Sequence, residues 1–187
     1  LGKTRGIYSN PEAEGIAWER AASAELIRAD GRPGFQVDCG LRVQGGTSTS
    51  NWKSLKLSLR LLFRRDQGPA KLKYPLFPDS AVGTFDDLIL DAHLNLTWNH
   101  PAHDQRVRSQ YARDIFVSDL QNATGSLAPH GIFVNLFRGK MMDKTLHFFN
   151  RLFNNNGNKS IMQQLICLKD VVLYPWAHRL VVCLVMH

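Results

Sequence analysis

The sequence predicts an α+β fold: an antiparallel sheet with one principal helix behind it. Two observations point to the sheet and one to the helix. From Phe35 to Gln44, and again from Lys53 to Leu61, apolar side chains fall on every second position, the period of a strand with one buried face. From about Gln105 to Leu120 the pattern instead places Val107, Tyr111, Ile115 and Ser118 on one side, at helical spacing.

The first strand pair lies in Ala21 to Gln44. Ala22, Ala24 and Leu26 alternate with Ser23 and Glu25, and Asp30-Gly31-Arg32-Pro33-Gly34 supplies turn chemistry. The returning strand sets Phe35, Val37, Cys39, Leu41 and Val43 on one face and Gln36, Asp38, Gly40, Arg42 and Gln44 on the other. Gly45-Gly46-Thr47-Ser48-Thr49-Ser50-Asn51 follows, too small and polar to pack, and leads into the strand 53–61. There Lys53 shares parity with Leu55, Leu57 and Leu59, which leaves two readings. Either its ammonium meets an anionic partner at the mouth of the strand, or it lies at a frayed end and reaches water along its stem.

Tyr74-Pro75-Leu76-Phe77-Pro78 is a proline-locked irregular stretch, and residues 86–92 read as a short strand. The helix is expected over 105–121, with Asp104 as its N-cap, Asp114 bordering the Tyr111 face, and Gly125 closing the region. His100, His103 and Asp104 have the residue types of a metal cluster, but a proline-bearing loop before a helix cap accounts for them. Residues 131–137 read as a further strand.

From Gly139 onward the composition changes. All four methionines lie there but only two of the fourteen glycines, and no glutamate follows Glu25 anywhere in the chain. Val171 to Met186 is largely apolar, interrupted by His178 and Arg179, and shorter than the roughly 20 residues that span a bilayer. It is expected to be a strand pair or a misfit segment, with no transmembrane span. Residues 139–187 are expected to pack poorly on the rest and to be cleaved first near Asn154 to Asn158.

Within 187 residues, 44% of them apolar, one core is the expectation. The domain reading is residues 1–137 plus a divergent tail, 138–187. Three cysteines without a CxxC pair indicate neither a disulfide framework nor a zinc site. A formal charge of +7 draws the chain toward phosphates, but the basic residues are scattered and form no stripe with aromatics. No specific nucleic acid is therefore expected as partner. The first residues hold no apolar signal core and no initiator methionine, which reads as a cytosolic chain or an internal fragment.

A family resemblance rests on several blocks in register. Arg5-Gly6-Ile7-Tyr8, Trp18-Glu19-Arg20-Ala21-Ala22-Ser23-Ala24-Glu25 and Gly40-Leu41-Arg42-Val43-Gln44-Gly45-Gly46-Thr47-Ser48 look like the opening blocks of CotH (spore coat protein H) kinase domains. Lys53-Ser54-Leu55-Lys56-Leu57, Tyr74-Pro75-Leu76-Phe77 and Tyr111-Ala112-Arg113-Asp114 continue the likeness in order, over about residues 5–137.

What the resemblance implies is the N-terminal lobe of an atypical protein kinase, which uses ATP and a divalent metal (Mg) to phosphorylate a protein substrate, and an extracellular or cell-surface, spore-coat setting. Arg42, Gly45, Gly46, Thr47, Ser48 and Lys53 would then bind nucleotide, with Arg113 and Asp114 in support. Asp114 would hold Lys53, with Arg113 beside it as the alternative partner of Asp114 or as the phosphate contact in place of Lys53.

The likeness ends after Val134-Asn135-Leu136-Phe137, where Arg138-Gly139-Lys140-Met141-Met142-Asp143 replaces the family's hinge block. Nothing in 138–187 resembles the second lobe with its metal ligands and catalytic acids. This predicts a truncated or frameshifted reading frame and a chain inactive in phosphotransfer. Two alternatives stand beside that reading: a non-catalytic extracellular or cell-surface binding module, and a binder of nucleic-acid phosphate backbones.

Overall fold

The computed structural model describes residues 6–28, 30–46, 49, 56–95, 97–98, 100–140 and 180–186. Its elements in chain order are a 3-10 turn at Ile16–Trp18, β1 (Arg20–Arg28), β2 (Phe35–Gln44), β3 (Ser58–Leu62), β4 (Leu72–Lys73), β5 (Thr84–Phe85), β6 (Asp87–Leu90), α1 (His103–Val107), α2 (Arg113–Ala123), β7 (Val134–Lys140) and β8 (Leu180–Met186). The chain divides into two compact units, residues 1–22 with 37–132, and residues 23–36 with 133–187.

In the first unit β6, β3 and β2 lie side by side in that order, all antiparallel. Leu41 faces Leu61 and Val43 faces Leu59, so the apolar parity of both strands meets on one side of the sheet. Cys39, Leu41, Leu59, Leu61 and Phe63 are buried there with Leu57. Burying each such leucine contributes roughly 1.5–3 kcal/mol, which is what fixes the register, because a slip of one residue would turn the whole set to solvent. β4 and β5 form a separate two-stranded ribbon.

In the second unit the strand order is β1, β8, β7, and β8 runs parallel to β7 from Val134 opposite Leu180 to Lys140 opposite Met186. Here the turn after β1 is tied by Asp30, whose carboxylate accepts from the guanidinium groups of Arg28 and Arg32 and from the Arg32 backbone N–H. Gly31 takes φ +76°, and a Cβ at Gly34 would overlap the Leu26 carbonyl oxygen, so the chain can reverse this tightly only with glycine there.

At the level of an α+β fold with an antiparallel sheet, the expectation holds. β2 pairs with β3 antiparallel, although β3 begins at Ser58 and Lys53 lies outside the described residues. Strands expected at 86–92 and 131–137 are found as β6 and β7. The parallel pairing of β7 with β8 is an addition that alternation alone does not reveal. Of the tail, 141–179 and with it Asn154 to Asn158 lie outside the described residues.

The single helix expected over 105–121 is corrected to two. α1 has five residues with Ala102 at its N-cap, and Asp104 sits inside its first turn, where a carboxylate meets the positive helix end. Val107 is 67% exposed, so α1 gains no apolar burial to offset the cost of propagating further. Tyr111, Ile115, Ser118 and Asn122 do share a half-buried face on and before α2. Gly125, at φ +82°, closes α2: its N–H reaches the Asn122 carbonyl and Ser126 N–H reaches that of Gln121, a Schellman pattern. No described helix is long and apolar enough to cross a membrane.

Candidate functional site

The site is built on the face of β2, β3 and β6 turned away from the leucine core. Strand parity puts Gly40, Arg42 and Gln44 there, with Ser58, Arg60 and Leu62 opposite them and Asp87 and Ile89 beyond. Arg42 stands directly opposite Arg60. Like charges so placed repel, and each has a carboxylate to offset this. Asp87 takes Arg60 at 2.8 Å and Glu19 takes Arg42 Nε at 2.7 Å.

Glu19 follows the 3-10 turn, its backbone N–H donating to the Ile16 carbonyl. Its side chain is 2% exposed and accepts from Arg42 through Oε2 and from Arg64 through Oε1. Two features of the sheet admit it. Gly40 has no Cβ, and one there would overlap Glu19 Oε1; Arg64, two residues beyond Leu62, brings the second cation. A carboxylate this buried is tolerable only when paired and hydrogen-bonded. The hydrogen bond to Glu19 in turn raises the Arg64 pKa above its ordinary value. The Nε atoms of Arg60 and Arg64 are buried without a hydrogen-bond partner.

Between this face and the segment ending in Trp18 opens a cleft of about 240 Å³, lined by Arg42, Gln44, Gly45 and Arg60 on one side and Asn10 and Glu14 on the other. That is below the roughly 300–1,000 Å³ of sites that enclose a whole small-molecule ligand. Gly45 takes φ +130°, a conformation that L side chains rarely adopt. A Cβ at Gly46 would meet nothing within 4 Å, so the backbone there faces open space. Thr49 pins the loop from within, its hydroxyl donating to the Gly46 carbonyl at 2.6 Å and its N–H at 3.0 Å.

Of the residues that the sequence pointed to, Arg42 and Gly45 line this cleft and Gly46 adjoins it. Thr47, Ser48 and Lys53 lie outside the described residues. Arg113 and Asp114 belong to a different cluster at the start of α2. Asp114 is 68% exposed and sits 3.7 Å from Arg113 Nε and 3.6 Å from His93 Nδ1. A deeply buried Asp114 carboxylate is therefore not what forms, because helix α2 turns this position to water. His93, at φ +48°, meets Tyr111 edge-on, and Trp98 lies 5.1 Å from the same ring. His100 serves its loop, Nδ1 accepting from Ala102 N–H at 3.1 Å. Among the described residues no group of three or more His, Cys, Asp or Glu side chains could hold a metal ion.

Glu19, Arg60, Arg64 and Asp87 were not singled out by sequence reasoning. The signal was present for Arg60, which shares the polar parity of its strand as Arg42 does of β2. For Glu19 it was not, since nothing in a 23-residue separation shows that the two side chains meet. Compared with known protein families, characterised proteins and solved structures, the chain has no match.

Proposed function

We propose that the chain is the nucleotide-binding lobe of a CotH-type protein kinase, that it receives the phosphate end of ATP in the cleft beside Gly45, and that in this form it binds without transferring a phosphoryl group. The observation that supports this is the convergence of Arg42, Arg60 and Gly45 on one cleft at the point where β2 gives way to a small, polar loop. Guanidinium groups engage phosphate oxygens in a bidentate manner, and glycine lets backbone N–H groups come close to them. Phosphoryl transfer further requires acids that hold metal and orient the attacking hydroxyl. Nothing in the sequence of 138–187 resembles the lobe that carries them in the family, which is why binding alone is proposed.

The test is a thermal melt of the full chain with and without magnesium-ATP. A single-site ligand at ten times its Kd stabilises by about 1.4 kcal/mol, and each kcal/mol raises Tm by roughly 2–4 °C in a domain of this size. A rise of that order, with no radiolabel passed to added protein, is expected. An unchanged Tm together with no heat of binding in calorimetry contradicts the proposal.

A second reading, a non-catalytic binding module, is favoured by α2, where Phe116 and Leu120 are 66% and 56% exposed one turn apart. That reading expects no response to ATP and a loss of partner binding on Phe116→Ser.

A further inference from the structure

We infer that Glu19 is a positioning residue for the cleft: by accepting the Nε–H of Arg42 it fixes that guanidinium with its terminal nitrogens available to a phosphate-class anion. The inference rests on the phosphate-binding reading of the cleft and assigns the group that sets the cleft's geometry.

Three observations carry it. The Glu19 side chain is 2% exposed, while Arg42 is 26% exposed and lines the cleft, so the pair runs from the interior to the binding surface. Arg42 Nε is held at 2.7 Å, and no described residue takes its terminal nitrogens. The carboxylate cannot withdraw, because Arg64 holds its other oxygen and Gly40 closes over it.

Charge alone would not make this cleft bind anions. Arg42, Arg60 and Arg64 are matched by Glu19, Asp87 and the cleft-lining Glu14, so the local formal charges cancel. What remains is preorganisation. A guanidinium already fixed by one edge loses less side-chain freedom when a phosphate takes the other. Glu19 supplies that fixation at Arg42, as Asp87 does at Arg60.

The test uses the full chain, with magnesium-ATP and inorganic pyrophosphate as probes and the Arg42 Nε–Hε resonance as a direct readout. In Glu19→Gln the resonance should exchange rapidly with solvent, and affinity for both probes should fall about tenfold, the effect of weakening one charge-assisted contact. Arg64→Met, which leaves the Glu19 to Arg42 bond in place, should keep the Arg42 resonance protected. A protected resonance in Glu19→Gln, or a lost resonance with unchanged affinity, overturns the inference while leaving the cleft a phosphate site. No binding of either probe by the unaltered chain overturns the phosphate reading, and the inference with it. If Glu19→Gln fails to fold, Glu19→Asp reads the same step, since it keeps the charge and the Arg42 side chain whole but draws the carboxylate back from Arg42 Nε by one methylene. A loss of about tenfold supports the inference and unchanged affinity overturns it.

Discussion

Glu19 is a buried carboxylate shared by two guanidinium groups. It anchors two arginines on the polar side of a sheet whose other side is the leucine core. Removing it leaves both guanidinium groups without their carboxylate. Glu19→Ala is expected to cost about 2–4 kcal/mol, less than the ~3–5 kcal/mol of a fully buried pair, because Arg42 and Arg64 keep contact with water. Gly40→Ala should cost about 1–3 kcal/mol by a different route, overpacking a Cβ against a carboxylate that is held from both sides. Urea unfolding of both variants measures these losses; a change below about 0.5 kcal/mol in either, the range of ordinary surface substitutions, contradicts the arrangement.

Cys39 gives a test that involves no mutation. Burial, followed by the nearby charges of Asp38 and Glu19, pushes its thiol up to about 12. Since the thiolate is the reactive form, Cys39 should resist iodoacetamide at pH 8 in the folded chain and react in denaturant, as read by peptide mass mapping. The folded value lies above the unfolded one, so stability is fully present below the unfolded thiol pKa and is lost as pH rises from there toward 12. Alkylation of native Cys39 at pH 8 at the denatured rate would show that it is not buried.

At the scale of elements, the strands were legible, and of the expected helix the second half was, as α2. Alternation identifies β2 and β3 because one face of each is buried, and burial is what imposes a period of two. It could also place Arg42 and Arg60 on the shared polar face, but only the register, Arg42 opposite Arg60, brings them together. The helical pattern failed at Val107 because residues 100–107 are held by local bonds rather than by packing: Arg106 ties itself to the His100 and Pro101 carbonyls. Asp114 was expected to border the Tyr111 face, and it stands exposed in the first turn of α2, beyond the break at Arg108.

The turn after β1 carries its own prediction. The carboxyl of Asp30 is held well below the usual carboxylate range, chiefly by Arg28 and then by Arg32. A depressed folded value means that the turn is stabilised above the unfolded aspartate pKa of about 3.9 and loses that support as pH falls below it. Amide shifts of Gly31 and Arg32 followed from pH 6 to pH 2 should move late, below pH 3.9. A midpoint at the ordinary aspartate value would contradict the two-arginine clasp.

For the whole molecule, a formal charge of +7 does not by itself select a ligand. Beside the cleft Arg42 and Arg60 each already hold a carboxylate, so in the proposed lobe recognition depends on where donors point. This separates the nucleotide-lobe account from a general affinity for polyanions, which would grow with net charge and fall steeply with salt. The most direct measurement is an amide chemical-shift map of the full chain during titration with magnesium-ATP. A nucleotide-binding cleft predicts saturable shifts concentrated at Asn10, Val43, Gln44, Gly45 and Gly46 and at the Arg42 side chain. The absence of saturable shifts there, or shifts confined to α2, would contradict it.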